Sequence, residues 1–340
     1  MNSFGTLFKI TLYGESHQDA IGIVIDGITP GLKINWDLVN LDLSKRRPGK
    51  IGTTPRIEED NLIITSGIFN GLTTGSPVHV MIKNENVKSK DYSHLVNQPR
   101  PGHADYVART KYNNFHDYRG GGRFSGRLTA PIVVAGSIAK QMLNFNFSHK
   151  LIQIGGLKDM SKIDEYLLEI KEKGESVGGI VELKVSNVPV GIGEPMFEKL
   201  DAKIAQMLFS IPAVKGVEIG LGFSGADKMG SEFNDRYEDK TGKTITNNSG
   251  GVSGGISNGN DIIVKVFIKP TSSISKKQSS FNLKEEKVKD FKVGGRHDVA
   301  IVRRAGIVLE NALAIVLADL YLWSKTYKWL KKLFIRQLKY

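Results

Sequence analysis

Three short turns and one arginine-dense loop carry the residues that could do chemistry in this chain. Gly14-Glu15-Ser16-His17 follows the apolar-polar run 8–13, which puts a histidine in a glycine-flanked turn at a strand end. There its ring could transfer protons, although a plain surface turn has the same appearance. In Arg100-Pro101-Gly102-His103-Ala104-Asp105, proline and glycine fix a turn and His103 lies at a helix start, where it could serve an anion or simply cap the helix. Arg119-Gly-Gly-Gly-Arg123-Phe124-Ser125-Gly126-Arg127 is the strongest local signal. Three glycines let backbone N–H groups converge on an anion, and three arginines add forked donors. Gly294-Gly295-Arg296-His297-Asp298 places a carboxylate beside cationic neighbours, as a proton carrier or an N-cap.

Two further segments add polar groups. Lys45-Arg46-Arg47-Pro48-Gly49-Lys50 gathers four positive charges at a helix C-terminus, where the helix dipole favours them and where a phosphate could be clamped. Lys269-Pro270-Thr271-Ser272-Ser273 ends an alternating strand with a cation and hydroxyls. Gly220-Leu-Gly222-Phe-Ser-Gly225 matches a dinucleotide fingerprint in letters only, because 226–241 lacks the amphipathic helix that a pyrophosphate needs. His79, His94, His116 and His149 have no partners at ligand spacing and are read as structural, and no metal site is proposed.

The elements that must position these residues alternate without a steady βαβα rhythm. Spacing predicts helices over 35–47, 104–118, 127–143, 161–174 with Ser161 as cap, and 299–323. Strands are expected over 21–26, 62–69, 78–83, 180–186 and 261–269, the last alternating Ile262, Val264, Val266 and Ile268 with Ile263, Lys265, Phe267 and Lys269. The mixture predicts an α+β fold in a single intertwined domain.

The 340 residues carry 47 Lys and Arg against 35 Asp and Glu, a net charge of +12 that favours anionic partners. The absence of cysteine excludes disulfides, thiolate metal sites and a cysteine nucleophile. No targeting signal is read at the start, and the longest apolar runs, near 130–139 and 312–323, fall short of the ~20 residues that span a bilayer. A soluble, cytoplasmic protein without a membrane span is expected. Residues 324–340 read as a basic amphipathic tail, with Trp323, Tyr327, Leu330, Phe334 and Leu338 on one stripe and Lys325, Lys328, Lys332, Arg336 and Lys339 on another.

In this order and spacing the motifs resemble those of chorismate synthases. Gly14-Glu-Ser-His17, Arg46-Arg47-Pro48-Gly49, Arg100-Pro-Gly-His103-Ala-Asp105 and Arg119-Gly-Gly-Gly-Arg123 all contribute. So do Ala213-Val-Lys-Gly-Val-Glu-Ile-Gly220, Gly254-Gly-Ile-Ser, Lys269-Pro-Thr-Ser-Ser273 and Gly295-Arg-His-Asp298, and the resemblance extends over about 4–322. It implies a β-α-β sandwich of two intertwined repeats, helices between antiparallel sheets, assembled as a homotetramer. It implies anti 1,4-elimination of phosphate from 5-enolpyruvylshikimate 3-phosphate to give chorismate, with reduced FMN required and no net redox change. Residues 1–323 would form the catalytic domain.

The resemblance also assigns residues. Arg47, Arg100 and Arg127 would hold the substrate, with Arg46 near it or near a nicotinamide dinucleotide. Arg123, Phe124, Ser125, Pro212, Ala213, Gly254, Lys269, Pro270, Thr271, Ser272, Ser273 and Arg296 would form the FMN site, with Arg296 also reaching the substrate. His17 would protonate the departing phosphate, His103 would protonate or hydrogen-bond the flavin near N1, and Asp298 would assist at N5. NADPH is a candidate reductant. The sequence departs from the family pattern at Gln18, where glycine is usual, at Phe124, where serine is common, and at Lys50-Ile51-Gly52, which lacks a further arginine. An NAD(P)H-dependent flavin reductase and a basic RNA-binding protein are the alternatives, though no RNA-binding module is visible and no nucleic-acid partner is expected.

Overall fold

The computed structural model describes residues 1–54, 59–85, 95–294 and 297–337, with side chains as far as residue 327. Arg296, Gly295 and His94, and the side chains of the tail stripes beyond Tyr327, lie outside the described residues.

The first half opens with β1 (Ser3–Phe4), β2 (Lys9–Gly14) and β3 (Ala20–Asp26), followed by α1 (Trp36–Arg46) and β4 (Leu62–Ser66). A small hairpin, β5 (Ile68–Phe69) and β6 (Leu72–Thr73), leads into β7 (Val78–Lys83), α2 (Asp105–Lys111) and α3 (Thr129–Met142). The second half holds β8 (Asn146–Ile154), α4 (Ile163–Glu172), β9 (Gly179–Ser186), α5 (Leu200–Ser210), β10 (Val214–Ile219) and the single turn α6 (Gly230–Phe233). Hairpin β11 (Val252–Ser253) and β12 (Ile256–Ser257), strand β13 (Ile262–Ile268), hairpin β14 (Gln278–Asn282) and β15 (Lys287–Phe291), and α7 (Val302–Gln337) complete it.

Two antiparallel sheets result, in the orders β1-β2-β3-β7-β4 and β10-β13-β9-β8. Their central pairs have the same internal logic. In the first, Ile21, Ile23 and Ile25 face Ile82, Val80 and Val78 across the ladder, and all six are buried. In the second, Ile262, Val264 and Val266 face Val185, Leu183 and Val181, again all buried. Period-two alternation puts each apolar set on one face, and a helix covers it. α3 packs against β2, β3 and β7, α7 packs against β8 and β9, and the two helices pack on each other. The fold class is α+β, as the irregular element order predicts.

The helix contact is close because Gly136 of α3 lies against α7, where a Cβ would sit 2.2 Å from the Asn311 carbonyl oxygen. α1 starts where Asn35 accepts from the backbone N–H groups of Asp37 and Leu38, and its buried face carries Val39, Asp42, Leu43 and Arg46. That same i, i+3, i+4, i+7 face turns Arg46 inward.

Three expectations require correction. The helix predicted over 104–118 stops at Lys111, because Asn113 and Asn114 adopt φ of 48° and 68°, a left-handed break. Ser161 does not cap α4; Asp159 does the capping, accepting from Ser161 at the start of a 3₁₀ turn that feeds the helix. The final helix is longer than the apolar run suggested, and its part Val302–Tyr327 is long and apolar enough to cross a bilayer. It is a core helix instead, with 89% of its most apolar window buried inside the protein. α7 then continues without a break to Gln337, through most of the basic tail.

Candidate active site

A cleft of about 650 Å³ opens where the C-terminus of α1, the Arg100–Ala104 turn, the glycine loop, the α5–β10 junction and the segment after β13 converge. It brings Arg46, Arg47, Arg100, His103, Arg123, Phe124, Ser125 and Arg127 to one place, and Pro212, Ala213, Lys269 to Ser273, and Asp298 to the same walls. Residues from positions 46 to 298 thus meet in one concave site. Gly254 does not join them: it sits in the β11–β12 turn, and neither it nor its neighbour Gly255 lines the cleft.

Arginines dominate the electrostatics, and carboxylates organise them. Arg46 NH2 donates to Asp60 Oδ2 at 2.7 Å, Arg127 NH1 donates to Asp60 Oδ1, and Arg47 Nε lies 3.9 Å from the same carboxylate. The Asp60 side chain is fully buried. Burial acts to raise its carboxyl, but the charges of Arg46 and Arg127 outweigh this and hold it below the ordinary range. Arg127 is further fixed by Asn84 Oδ1 at 3.1 Å and the Lys83 carbonyl at 3.2 Å.

A second cluster surrounds Asp105. Arg100 donates through Nε to Oδ2 and through NH2 to Oδ1, both at 2.8 Å, and through NH1 to Ser273 Oγ at 2.9 Å. His103 Nδ1 lies 2.6 Å from Asp105 Oδ1. A third is built on Asp298, which accepts from the Thr54 N–H at 3.0 Å and from Arg304 NH2 at 2.8 Å.

His17 lies behind the glycine loop rather than on the open wall. Its turn is tied to that loop: Ser16 N–H donates to the Gly122 carbonyl at 3.3 Å, and Ser16 Oγ contacts the Arg119 and Gly120 carbonyls and His17 Nδ1 at 3.2 Å each. Gln18, the departure beside it, donates to Asp117 Oδ2 at 3.1 Å. Arg123 lines the cleft while donating to the Leu12 and Gly14 carbonyls and to Asn2 Oδ1, which anchors the loop to the end of β2.

Across the cleft, Lys269 Nζ donates to the Gly102 carbonyl and contacts Ser272 Oγ at 3.2 Å, and Ser272 Oγ donates to the same carbonyl at 2.8 Å. Burial, helped by the charge of Lys215, lowers the pKa of Lys269. The Lys269 N–H donates to the carbonyl of Ala213, whose φ of 71° marks a tight turn into β10. Among the described residues, no group of three or more His, Asp or Glu is placed to hold a metal ion.

The sequence model of chorismate synthase matches residues 8–322. Chorismate synthase of Chitinophaga pinensis is 48% identical over 324 residues, covering 95% of this chain and 97% of its own. That of Methanobrevibacter smithii is 45% identical, covering 94% and 95%. A crystal structure of chorismate synthase superposes with a TM-score of 0.71 at 29% identity, covering 93% of this chain and 92% of that one. The chain belongs to the chorismate synthase family. It is accordingly a lyase of aromatic biosynthesis, and its family's reaction is flavin-dependent. These matches give no support to the flavin-reductase and RNA-binding alternatives.

The residues present fit an anionic flavin and an anionic substrate, as a chorismate synthase requires. Arg46 Nε, Arg304 Nε and Thr271 Oγ1 are buried polar atoms with no hydrogen-bond partner among the described residues, and all three belong to cleft-lining side chains. A buried donor without an acceptor is costly, and an anion in the cleft would relieve it. Asp60, Asp105 and Arg304 were not singled out as site residues by the sequence. Asp105 stood inside a quoted motif, whereas Asp60 and Arg304 carried no local signal.

Proposed function

We propose that this chain converts 5-enolpyruvylshikimate 3-phosphate to chorismate by anti 1,4-elimination of phosphate, with reduced FMN as the required cofactor. The observation that carries the reading is the convergence of Arg46, Arg47, Arg100 and Arg127 on one cleft that also holds His103, Asp298 and the segment 269–273. A substrate with two carboxylates and a phosphate needs that density of forked donors.

Arg47, Arg100 and Arg127 hold the substrate's anionic groups, with Arg46 beside them. Their partner Asp60 fixes the forks of Arg46 and Arg127 before substrate arrives, so little side-chain ordering is left to occur on binding. Reduced flavin, when bound, supplies transient electron density to the allylic system, and the reaction shows no net redox change. Arg123, Phe124, Ser125, Pro212, Ala213 and Lys269 to Ser273 hold the flavin, Lys269 and its neighbouring hydroxyls supplying what a phosphate takes. Arg296 completes that site by resemblance to the family; Gly254, also assigned to it by the resemblance, lies outside this cleft.

His17 gives its proton to the departing phosphate, which leaves poorly as an unprotonated, uncompensated anion. His103 would protonate or hydrogen-bond the reduced flavin, and Asp298, held by Thr54 and Arg304, would assist proton removal on the flavin's side of the cleft. We further read the fold as a β-α-β sandwich of two intertwined repeats, α3 and α7 being equivalent helices. In the same reading the enzyme is a cytoplasmic homotetramer, residues 1–323 are its catalytic domain, and NADPH is a candidate source of reducing equivalents.

The test is anaerobic. Protein, dithionite-reduced FMN and 5-enolpyruvylshikimate 3-phosphate are mixed, and phosphate and chorismate are followed with time. Formation of both, dependent on reduced FMN and without net flavin oxidation, is expected. Flavin binding without product overturns the reading. His17→Ala and His103→Ala should each lower turnover while FMN still binds, and unchanged turnover in both removes their assigned roles.

A further inference from the structure

Donor and acceptor accounting around His103 leaves one consistent arrangement. Asp105 accepts two forked bonds from Arg100 and one from the Arg100 backbone N–H at 3.0 Å, so it is ionised and can only accept. Although burial acts to raise its carboxyl, the hydrogen bonds from Arg100 and His103 hold it well below the ordinary carboxylate range. His103 Nδ1, 2.6 Å from Asp105 Oδ1, must therefore carry a hydrogen. Arg100 NH2 lies 3.1 Å from Nδ1 and 3.2 Å from Nε2 and can only donate. A donor almost equidistant from both ring nitrogens lies over the ring face, so Arg100 stacks on the imidazole and takes neither in-plane lone pair.

The other edge of the ring faces the glycine loop. A Cβ on Gly121 would meet His103 Cε1 at 3.4 Å and Nε2 at 3.6 Å, ordinary van der Waals contact, so the loop packs directly beside that edge. Other charged or titratable groups near the ring are Lys269, bound to the Gly102 carbonyl, and His297, which feels the Arg100 charge. Neither is within hydrogen-bond distance of the ring among the contacts described.

We propose that Asp105 is a positioning residue for His103, fixing the imidazole as the Nδ1–H tautomer so that Nε2 is the atom that gains and returns the proton. Any proton exchanged between the ring and its bound partner then passes through Nε2, while Asp105 stays ionised throughout. The same carboxylate fixes Arg100, which couples the substrate-holding arginine to the proton-handling histidine through one side chain. The inference rests on the assignment of His103 above, but its first readout needs neither substrate nor flavin.

The experiment uses the full-length protein labelled with ¹⁵N-histidine, whose seven histidines give a tractable ring spectrum, with His103 assigned by loss of its signals in His103→Gln. The wild-type protein should show His103 as the Nδ1–H tautomer. In Asp105→Asn the amide oxygen still serves Arg100 while its NH2 faces Nδ1, so the ring should switch to Nε2–H. Turnover should fall about 10- to 100-fold with KM changed less than turnover, and Asp105→Glu should recover part of both signatures. An Nε2–H tautomer in the wild type overturns the proposal even if no variant folds. So does an unchanged tautomer in Asp105→Asn, or a switched tautomer with unaltered turnover. Absence of elimination activity in the wild type would instead count against the functional reading, with the tautomer assignment standing.

Discussion

Gly120 and His17 touch so closely that no side chain fits between them. A Cβ on Gly120 would lie 2.1 Å from His17 Cε1 and 2.3 Å from Nδ1, and Gly120 itself has φ of 56°. Both the approach and the left-handed backbone require glycine. The triple glycine has therefore a second purpose beside any anion it meets: it is the surface against which the His17 ring is set, 103 residues away in sequence.

Gly120→Ala should accordingly damage catalysis more than folding. The methyl group forces the imidazole or the loop to move, and a general acid displaced by about 1 Å loses on the order of 100-fold in rate. FMN affinity should change much less. Gly156→Ala, at an exposed position with open space around it, is the control. Turnover and FMN titration on the two variants decide it; equal turnover in both would show that the contact has no catalytic consequence.

Asp60 should matter to stability and to substrate affinity together. Replacing it with alanine removes the carboxylate shared by buried Arg46 and Arg127, and breaking such a pair costs about 3–5 kcal/mol. Asp60→Asn keeps one acceptor oxygen and the side-chain volume, and should cost less. Urea unfolding of the two variants, with KM for the substrate, gives the check: the order Ala worse than Asn is expected in both. A stability loss with unchanged KM would confine Asp60 to the fold.

How much of this could be read from the sequence depends on the range of the interactions. The alternation of Ile262, Val264, Val266 and Ile268 is local, and it placed β13 correctly because one buried face needs nothing else to specify it. The α1 boundaries followed from Asn35 and Pro48 for the same reason. The end of α2 was missed because a left-handed pair at Asn113 and Asn114 outweighs propensity, and nothing in their letters requires it. In the cleft, arginines and histidines stood in recognisable motifs, but Asp60 did not. It is 14 residues from Arg46 and 67 from Arg127, the last of three consecutive acids with no motif around it, and only the fold makes it their common partner. Likewise Arg304 becomes a neighbour of Asp298 only once α7 has started.

Acid should destabilise the protein through these same carboxylates. Asp60, Asp105 and also Glu310 of α7, which pairs with Lys140 and His149, all have pKa values lowered in the folded state, because ion pairs outweigh burial. A lowered folded pKa gives stability that is complete above the unfolded values near 4, and is lost as pH falls through the folded ones. Stability by urea unfolding should therefore fall steadily below about pH 4, and Asp105→Asn should show a shallower fall. An identical slope would mean that Asp105 titrates alike in both states.

FMN binding should weaken with alkali, and Lys269 should be the cause. Burial and the charge of Lys215 lower its pKa in the free protein, whereas a bound phosphate favours its protonated form. Binding then takes up a proton once the pH passes the free-state value, so affinity falls as pH rises. Flavin phosphate is already the dianion above about pH 7.5, its second pKa being near 6, which leaves the lysine as the titrating partner. Titration of oxidised FMN by fluorescence between about pH 7.5 and 9.5 should show Kd rising. Lys269→Arg, charged throughout that range, should flatten the profile, because a guanidinium keeps its proton. Riboflavin, which lacks the phosphate, should bind more weakly with little pH dependence. A riboflavin profile as steep as that of FMN would place the titrating group at the ring system and release Lys269 from the phosphate.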